Sequence, residues 1–297
     1  MELGRIGVWT TQLDYLPAAE ARRGARRFEE LGFSALWIGE AARREAFTNA
    51  SLLLSATHRL IIATGIANIW ARDAMTMANA HRTLAEAYPE RFLLGLGVSH
   101  APLVEIRGHD YTSPYTAMIH YLDAMDRARY EGAAPRTEPK RVLAALGPKM
   151  LTLAKKRAHG AHPYFVPVEH TRRARELLGK GPLLAPEQAI IVEEDPEKAR
   201  RIARFHTRSY LRLPNYRHNL ERLGYSSQDM LDGGSDRLVD AVVAWGSPNV
   251  IRERIAAHLR AGADHVCVQL LSEDVRRISW EGYEATAEVL LDKPASG

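Results

Sequence analysis

The stretch RFLLGLGVSHAP, Arg91–Pro102, ends an apolar run with Gly-x-Gly, a serine and a histidine, a combination that several kinds of site use. A dinucleotide fingerprint needs a third glycine where His100 stands and a helix that opens at once, and we expect the next helix only near Pro114. A nucleophile elbow needs glycine where Ala101 stands. Two interpretations remain: a tight bend at a strand end, or a loop whose small residues let a flat or bulky ligand approach.

A second loop, LGPKM at Leu146–Met150, has the composition of an anion site. Gly147 followed by Pro148 in the first turn of a predicted helix leaves free backbone amides, and Lys149 adds positive charge. One such loop is also compatible with an ordinary helix start, so phosphate binding is one of two interpretations.

A third loop, ATGIANIW, follows another apolar run. Gly65 lies where the strand must bend away, as glycine in a strand often indicates. Asn68 supplies a polar side chain near the same strand end. The loop is therefore a third candidate for contact with a ligand.

Few ionisable residues lie at the predicted strand ends, namely Glu40, His100 and His162. The sequence contains no metal-binding spacing of histidine and cysteine, no P-loop and no strand lysine suited to Schiff-base chemistry. Its one cysteine, Cys267, lies in an apolar run that indicates packing. Such a site suits a cofactor that brings its own reactivity, with one or two proton donors from the protein.

Composition excludes other classes of function. The net charge of +4 is spread over stretches in which arginine and glutamate alternate, which indicates solvated helix faces, although a basic mouth for an anionic ligand is also compatible. No motif supports nucleic-acid binding, and no apolar stretch approaches the ~20 residues that span a membrane. The first residues lack the layout of a signal peptide, so we expect a soluble cytoplasmic protein.

Short apolar runs alternate with amphipathic stretches along the whole chain. The eight runs are Arg5–Trp9, Ala35–Glu40, Leu60–Asn68, Phe92–Val98, Arg141–Gly147, Ala161–Pro167, Glu187–Glu194 and His265–Leu271. Continuous apolar runs are typical of parallel strands buried on both faces. Eight strands with intervening helices predict an α/β fold, a (β/α)8 TIM barrel, with its site at the C-terminal strand ends. The remaining length predicts a helical insertion at about Asp195–Gly246 within one domain, residues 1–297.

Five segments in register resemble the bacterial luciferase-like monooxygenase superfamily, and within it the branch that uses the deazaflavin coenzyme F420. The segments are FEELGFSALWIGE, IIATGIANIW, YPERFLLGLGVSHAPLVE, LAALGPKMLTLAKKRAHGAHPYFVP and AHLRAGADHVCVQLL. Together they span nearly the whole chain. The resemblance implies the same barrel, an insertion after the seventh strand and a homodimer.

The resemblance also implies a cofactor site built from three loops. In the family, a non-prolyl cis peptide after the third strand backs the cofactor ring, and it falls here on Gly65–Ile66 with Ala67 and Asn68 beside it. The other implied contacts are Gly97, Val98 and Ser99 along the ring, and Leu146, Gly147, Pro148, Lys149 and Met150 around the phosphate. The loop that the resemblance places around the phosphate, Leu146–Met150, is the same loop that the helix-start pattern independently indicates as an anion site.

The sequence departs from the resemblance at the catalytic positions. Sugar-phosphate dehydrogenases of this branch carry a histidine just after the second strand, where this chain has Glu40 followed by Ala41. Their acidic residue after the fourth strand is replaced by His100. We therefore expect hydride transfer between C5 of F420 and another small organic substrate, with His100 as proton donor or acceptor and Glu40 as a possible second.

Two other functions remain open on the same scaffold. One is an FMN-dependent monooxygenase that activates oxygen, and the other is a non-catalytic barrel that binds a flavin or deazaflavin. The substrate depends on His109–Met118 and Arg212–Tyr225, whose aromatic side chains either line a pocket or pack as loop core. We expect no metal, nucleic-acid or membrane partner.

Overall fold

A curled parallel sheet surrounded by helices makes up residues 1–291, the part of the chain that the computed structural model describes. The strands are β1 (Ile6–Trp9), β2 (Ala35–Ile38), β3 (Ile61–Thr64), β4 (Ala67–Asn68), β5 (Phe92–Gly97), β6 (Arg141–Leu143), β7 (Gly160–Ala161), β8 (Leu183–Leu184), β9 (Glu187–Val192), β10 (Val243–Gly246) and β11 (Val266–Leu270). The α-helices are α1 (Ala18–Glu30), α2 (Ala46–Leu54), α3 (Ala74–Ala87), α4 (Ala101–Glu105), α5 (Pro114–Asp126), α6 (Pro148–Arg157), α7 (Val168–Leu178), α8 (Pro196–Tyr210), α9 (Pro214–Arg222), α10 (Asp236–Val242), α11 (Pro248–Arg260) and α12 (Trp280–Leu290). Within residues 1–291, no helix is long and apolar enough to cross a membrane.

The sheet curls so that its strand ends face a common mouth. The strand order is β10-β9-β11-β1-β2-β3-β5-β6-β7-β8, with β4 paired to β5. Strands β8 and β9 belong to one extended segment, interrupted only at Ala185 and Pro186. The Ala185 N–H donates to the Ala161 carbonyl (3.0 Å), and the Pro186 carbonyl accepts from the Cys267 N–H (3.1 Å). This segment therefore joins β7 on one side to β11 on the other.

Burial on both faces explains why the strands are continuously apolar. Every residue of β1, β2, β3 and β5 is buried. A cluster inside the curl consists of Leu3, Trp9, Ala35, Trp37, Ile61, Ala63, Leu93, Val142, Ala185 and Cys267. The helices cover the outside, and α1 buries the stripe Ala21, Gly24, Ala25 and Phe28, whose spacing places them on one helix face. The predicted α/β class with a parallel sheet is confirmed.

Several predicted element boundaries were wrong. The third predicted strand, Leu60–Asn68, consists of two strands, β3 and β4. In place of the sixth predicted strand, Ala161–Pro167, the structure has only the two-residue strand β7. The helix expected only near Pro114 is preceded by α4, which begins directly after His100. At five residues, α4 is too short to show a helical period in the sequence. The absence of a third glycine at His100 still argues against the dinucleotide fingerprint.

The region predicted as a helical insertion contains α8, α9, a short 3-10 helix at Gln228–Gly233 and α10, but it ends in a strand. Asp195 caps α8, since its side chain accepts from the Glu197 and Lys198 amides. Val243–Gly246 forms β10, which pairs in parallel with β9. The apolar run that contains β10 continues directly from α10, so the sequence gives no boundary between them. That this region is an insertion into a barrel stays a prediction.

Candidate active site

The loop between β3 and β4 forms a bulge centred on a cis peptide bond between Gly65 and Ile66. The Gly65 N–H donates to the Ile38 carbonyl (2.7 Å), and the Ile66 carbonyl accepts from the Glu40 N–H (3.2 Å). The Trp9 indole donates to the Gly65 carbonyl (2.9 Å). The predicted cis bond is thus present. Backbone atoms at the end of β2 and just after it, together with the side chain of a β1 residue, hold the bulge.

Close packing explains two glycines at this bulge. A Cβ on Gly65 would lie 2.6 Å from Nε1 of Trp9 and 2.9 Å from Nε2 of His162. A Cβ on Gly97 would collide with the side chain of Ile66. Gly97 is therefore required first for packing of the bulge against β5. Room for a ligand is therefore not the only reason for a glycine at this position.

Glu40 is a buried acceptor for groups that hold the bulge. Its carboxylate accepts from the Asn68 N–H (2.8 Å) and the Ala46 N–H (3.1 Å). Both of its oxygens also pair with the buried guanidinium of Arg72. A carboxylate has about four lone-pair positions, and these four contacts occupy them. The geometry favours a positioning role for Glu40 over the predicted role as a second proton donor or acceptor.

The loop after β5 carries the candidate residues Val98, Ser99 and His100. The Val98 carbonyl accepts from the Trp70 indole (3.0 Å), and the Ser99 carbonyl accepts from the Tyr111 hydroxyl (3.0 Å). Ser99 has φ 56°, in the left-handed region that few non-glycine residues adopt. Its neighbours thus fix the backbone that presents His100.

His100 is half-buried, and its imidazole contacts residues of α9. The ring centroid lies 5.4 Å from that of Tyr216. Burial lowers the pKa of His100 below its ordinary value, and a hydrogen bond with the Asn215 side chain opposes this effect. The imidazole is consequently neutral near pH 7, which suits a group that accepts a proton.

His162 presents a buried acceptor to the bulge. Its Nδ1 lies 2.7 Å from the Ala185 carbonyl, which makes Nδ1 the protonated nitrogen. The ring stacks on Trp37 at 4.3 Å, and burial lowers the pKa to about 4. Nε2 has no hydrogen-bond partner among the described residues. Since a Cβ on Gly65 would lie 2.9 Å from this atom, Nε2 faces the bulge.

Three polar side chains meet across the mouth from three different segments. The Tyr164 hydroxyl lies 2.8 Å from the Tyr210 hydroxyl and donates to Oε1 of Gln269 (2.7 Å). The ring of Tyr164 lies 5.1 Å from that of Trp9. Tyr164 and Gln269 lie within the predicted strands Ala161–Pro167 and His265–Leu271, whereas Tyr210 lies on α8 with no sequence signal for a site.

Glu187 is a buried carboxyl group that the sequence did not single out. Its Oε2 accepts from the Phe165 N–H (3.1 Å), and its Oε1 has no partner among the described residues. Burial raises the pKa to about 8, so the group is mostly protonated at neutral pH. Phe165 has φ 58°, and this hydrogen bond supports the turn that carries Tyr164.

The predicted phosphate loop begins α6 as expected. Gly147 is the N-cap residue and Pro148 follows it, with no side-chain cap, so the first amides are free for a ligand. A Cβ on Gly147 would lie 3.5 Å from Nη1 of Arg222, which places that guanidinium beside the helix start. The Leu146 carbonyl lies 2.9 Å from Nε2 of His170.

The other two residues of the loop differ in exposure. Lys149 is exposed, whereas Met150 is half-buried and packs on the main core. Arg173 donates to the Arg222 carbonyl (2.6 Å) and adds a second guanidinium nearby. Free amides and arginine are the groups that bind phosphate. Together with the His162 acceptor at the bulge, they fit a flat ring that carries a phosphate tail.

A surface cavity of about 650 Å³ lies elsewhere, between β10 and α11. Its lining includes Trp245, Ser247 and Arg254, and none of the predicted site residues borders it. Within residues 1–291, no cluster of histidine, cysteine, aspartate and glutamate side chains has the arrangement of a metal site. The bulge, the β5 loop and the start of α6 therefore remain the candidate site.

Comparisons with known proteins agree with this fold. A 5,10-methylenetetrahydromethanopterin reductase of Methanolobus tindarius is 22% identical over 293 residues, covering 84% of this chain and 90% of the relative. A solved F420-dependent secondary alcohol dehydrogenase, in complex with an F420-acetone adduct, superposes with a TM-score of 0.76 at 18% identity, covering 97% of this chain and 99% of that one. The FMN-bound oxygenating constituent of 3,6-diketocamphane monooxygenase from Pseudomonas putida superposes with a TM-score of 0.68 at 16% identity, covering 97% and 95%.

The family assignment rests on a match along most of the chain. The family model for luciferase-like monooxygenases matches residues 3–265. This span runs from just before β1 almost to β11 and includes all three loops of the candidate site. The chain belongs to the luciferase-like monooxygenase family.

Proposed function

We propose that this protein is an F420-dependent oxidoreductase in which the cofactor, when bound, supplies hydride transfer at C5 of its deazaflavin ring to or from a small organic substrate. The observation that carries the proposal is the bulge at Gly65–Ile66, where the His162 acceptor faces a position that only glycine leaves open. The solved alcohol dehydrogenase named above is F420-dependent and is in complex with an F420-acetone adduct, which supports the choice of cofactor.

Two regions would hold the cofactor. Gly65, Ile66, Ala67 and Asn68 would back the ring from one side, with Gly97, Val98 and Ser99 along its edge. The amides of Pro148–Met150 cannot all contribute, because proline has no N–H, so Lys149 and Met150 would supply them. Arg222 would pair with the phosphate, with Leu146 and Gly147 shaping the loop.

Two residues differ in their proposed roles. His100 would take or give the proton that accompanies hydride transfer, and its lowered pKa makes it a base at neutral pH. Glu40 would keep the bulge in place through Asn68 and Arg72. This assignment replaces the expectation of Glu40 as a second proton carrier.

A second candidate is an FMN-dependent monooxygenase, which the fold of the FMN-bound P. putida protein favours. A non-catalytic barrel that binds either ring is a third. Anaerobic incubation with F420 and a panel of alcohols and carbonyl compounds tests all three. The proposal expects a change in deazaflavin absorbance without oxygen. A requirement for FMN and oxygen would support the monooxygenase, and no turnover with either cofactor would support the binding protein.

We also propose a homodimer, as the family resemblance implies. Light scattering on the purified protein would measure its mass in solution. A mass of one chain at micromolar concentration would contradict this expectation.

A further inference from the structure

The two phenols at the mouth form a hydrogen-bond chain with a defined direction. Oε1 of Gln269 is an acceptor only, so the proton of Tyr164 points to it. The contact between the two hydroxyls, 2.8 Å long, must then use the proton of Tyr210. The chain therefore runs from Tyr210 to Tyr164 to Gln269.

This direction decides what the two phenols can still bind. Each phenol has one proton, and both protons are already used within the chain. The Tyr210 oxygen accepts from no described residue, and the Tyr164 oxygen accepts only from Tyr210. The pair thus offers acceptor positions and no free donor.

Ring contacts place the pair between the two ends of the candidate site. Tyr164 lies against Trp9, which donates to the Gly65 carbonyl at the bulge. On the other side Tyr210 lies 5.3 Å from Tyr216, and Tyr216 lies 5.4 Å from His100. Both phenols are half-buried, so part of each side chain remains accessible.

We propose that Tyr164 and Tyr210 make the site specific for substrates that carry a hydrogen-bond donor, a hydroxyl or N–H group. This inference rests on the proposed function, because it assigns the space between the bulge and His100 to the substrate. The pair positions the substrate and does not take its proton, since the chain ends at an amide that is not a base. A hydroxyl whose single proton points to the pair cannot give that proton to His100. The donor bound by the pair is therefore distinct from the reacting group, whose proton goes to His100.

The test compares two probes that differ at one oxygen, which carries a proton in the first and a methyl group in the second. Benzyl alcohol and benzyl methyl ether are titrated into the cofactor-loaded protein, and binding is followed by ligand-observed NMR. We expect the alcohol to bind at least about tenfold more tightly, because a polar site rejects an analogue that leaves its groups unpaired. Tyr164→Phe and Tyr210→Phe should each reduce this preference to below about threefold.

Gln269→Leu distinguishes recognition from a structural role. Without the amide, the proton of Tyr164 is free, so the pair gains a donor and the ether should bind more tightly than it does to the wild type. A merely structural role would weaken both probes alike. Tyr130→Phe is the matched control, since its hydroxyl bonds only the Ala133 carbonyl at an exposed site, and it should keep the wild-type preference.

Equal binding of the two probes to the wild type, including failure of both to bind, would overturn the inference. So would an unchanged preference in Gln269→Leu. Cofactor loading is measured separately by fluorescence. A protein that does not load F420 therefore fails the proposed function, whereas a loaded protein without donor preference fails only this inference.

Discussion

At the scale of single residues, the surroundings of His100 and Glu40 give these two ionisable groups different chemical roles, although both lie at the same mouth. Glu40 accepts four hydrogen bonds, two of them from the Arg72 guanidinium, and so has no free lone pair for substrate. His100 is half-buried and forms a hydrogen bond with a neutral amide, the side chain of Asn215. Ionisable residue types at predicted strand ends indicated both positions, but only the contacts distinguish their roles.

Replacement of the imidazole should remove proton transfer and leave cofactor binding intact. We expect His100→Gln to lower kcat by about 10²-fold or more, the usual contribution of a general acid or base. For substrate oxidation, the wild-type rate should fall only in acid, below the ordinary histidine pKa of 6.5, because burial lowers the pKa of His100. The variant should lose this acid limb when kcat is measured against pH.

Glu40→Gln is the contrasting variant. It should weaken cofactor binding and keep the acid limb of the profile, because it disturbs the bulge and not the proton acceptor. An unchanged rate in His100→Gln, or loss of the acid limb in Glu40→Gln alone, would contradict the assignment.

We expect the titration of Glu187 to change the free energy of unfolding with pH. Its pKa is raised from 4.5 to about 8 in the folded state, so the folded protein binds more protons than the unfolded chain between these values. Its contribution to stability is therefore full below about pH 4.5 and is lost as pH rises through 8. Glu187→Gln keeps an acceptor for the Phe165 N–H without the ionisation.

Denaturant unfolding at pH 5 and pH 9 measures this difference. We expect Glu187→Gln to be stabilised relative to the wild type by a few kcal/mol more at pH 9 than at pH 5, since one pKa unit corresponds to about 1.4 kcal/mol. A constant difference between the two proteins at both pH values would show that Glu187 does not titrate in this way.

At the scale of elements, the start of α6 was predictable because its signal is local. Gly-Pro-Lys at a strand end predicts free amides and charge, and the structure begins α6 at Pro148. The partner Arg222 was not predictable, because it lies on α9, more than seventy residues away in sequence, and reaches the loop only through folding. The short elements β7, β8 and α4 carry too few residues for a periodic signal.

Arg222→Met should weaken binding of the phosphate-bearing cofactor by about tenfold, because a charge-assisted contact to phosphate is lost. Affinity for the dephosphorylated ring system, the deazariboflavin chromophore of F420, should change little. Equilibrium dialysis of both compounds measures this selectivity. Arg217→Met on the same helix is the matched control, and equal losses for both compounds would refute a phosphate contact by Arg222.

At the scale of the whole molecule, five buried histidines within residues 1–291 make the fold sensitive to acid. They are His81, His162, His170, His258 and His265. Burial lowers their pKa values to about 3 or about 4, so all five are neutral in the folded protein at neutral pH. The unfolded chain binds these protons below about pH 6.5, so acid favours unfolding.

We expect the free energy of unfolding to fall steeply as the pH decreases from about 6.5 to 4. Each histidine contributes up to about 1.4 kcal/mol per pH unit in this window. Denaturant titrations across this range measure the slope. His258→Asn should reduce it, whereas His58→Asn, at an exposed position, should leave it unchanged. If the free energy of unfolding of the wild type did not fall over this pH range, the explanation by buried histidines would be excluded.

The overall architecture was the most predictable level. Eight apolar runs indicated a parallel α/β sheet, and the resemblance indicated the family that the match over residues 3–265 confirms. The sequence indicated the segment Arg212–Tyr225, which contains Tyr216, but left open whether its aromatic side chains line a pocket or pack as loop core. Tyr210 on α8 was not predictable, because the sequence of that helix shows only an amphipathic pattern. The position of both tyrosines depends on how α8 and α9 fold back over the strand ends.

The central claim is that this mouth binds F420 in preference to FMN. Titration of the purified protein into each cofactor, followed by cofactor fluorescence, tests it most directly. The proposal predicts a dissociation constant for F420 in the micromolar range or below, and binding of FMN at least about tenfold weaker. Tight binding of FMN with weak or no binding of F420 would contradict it.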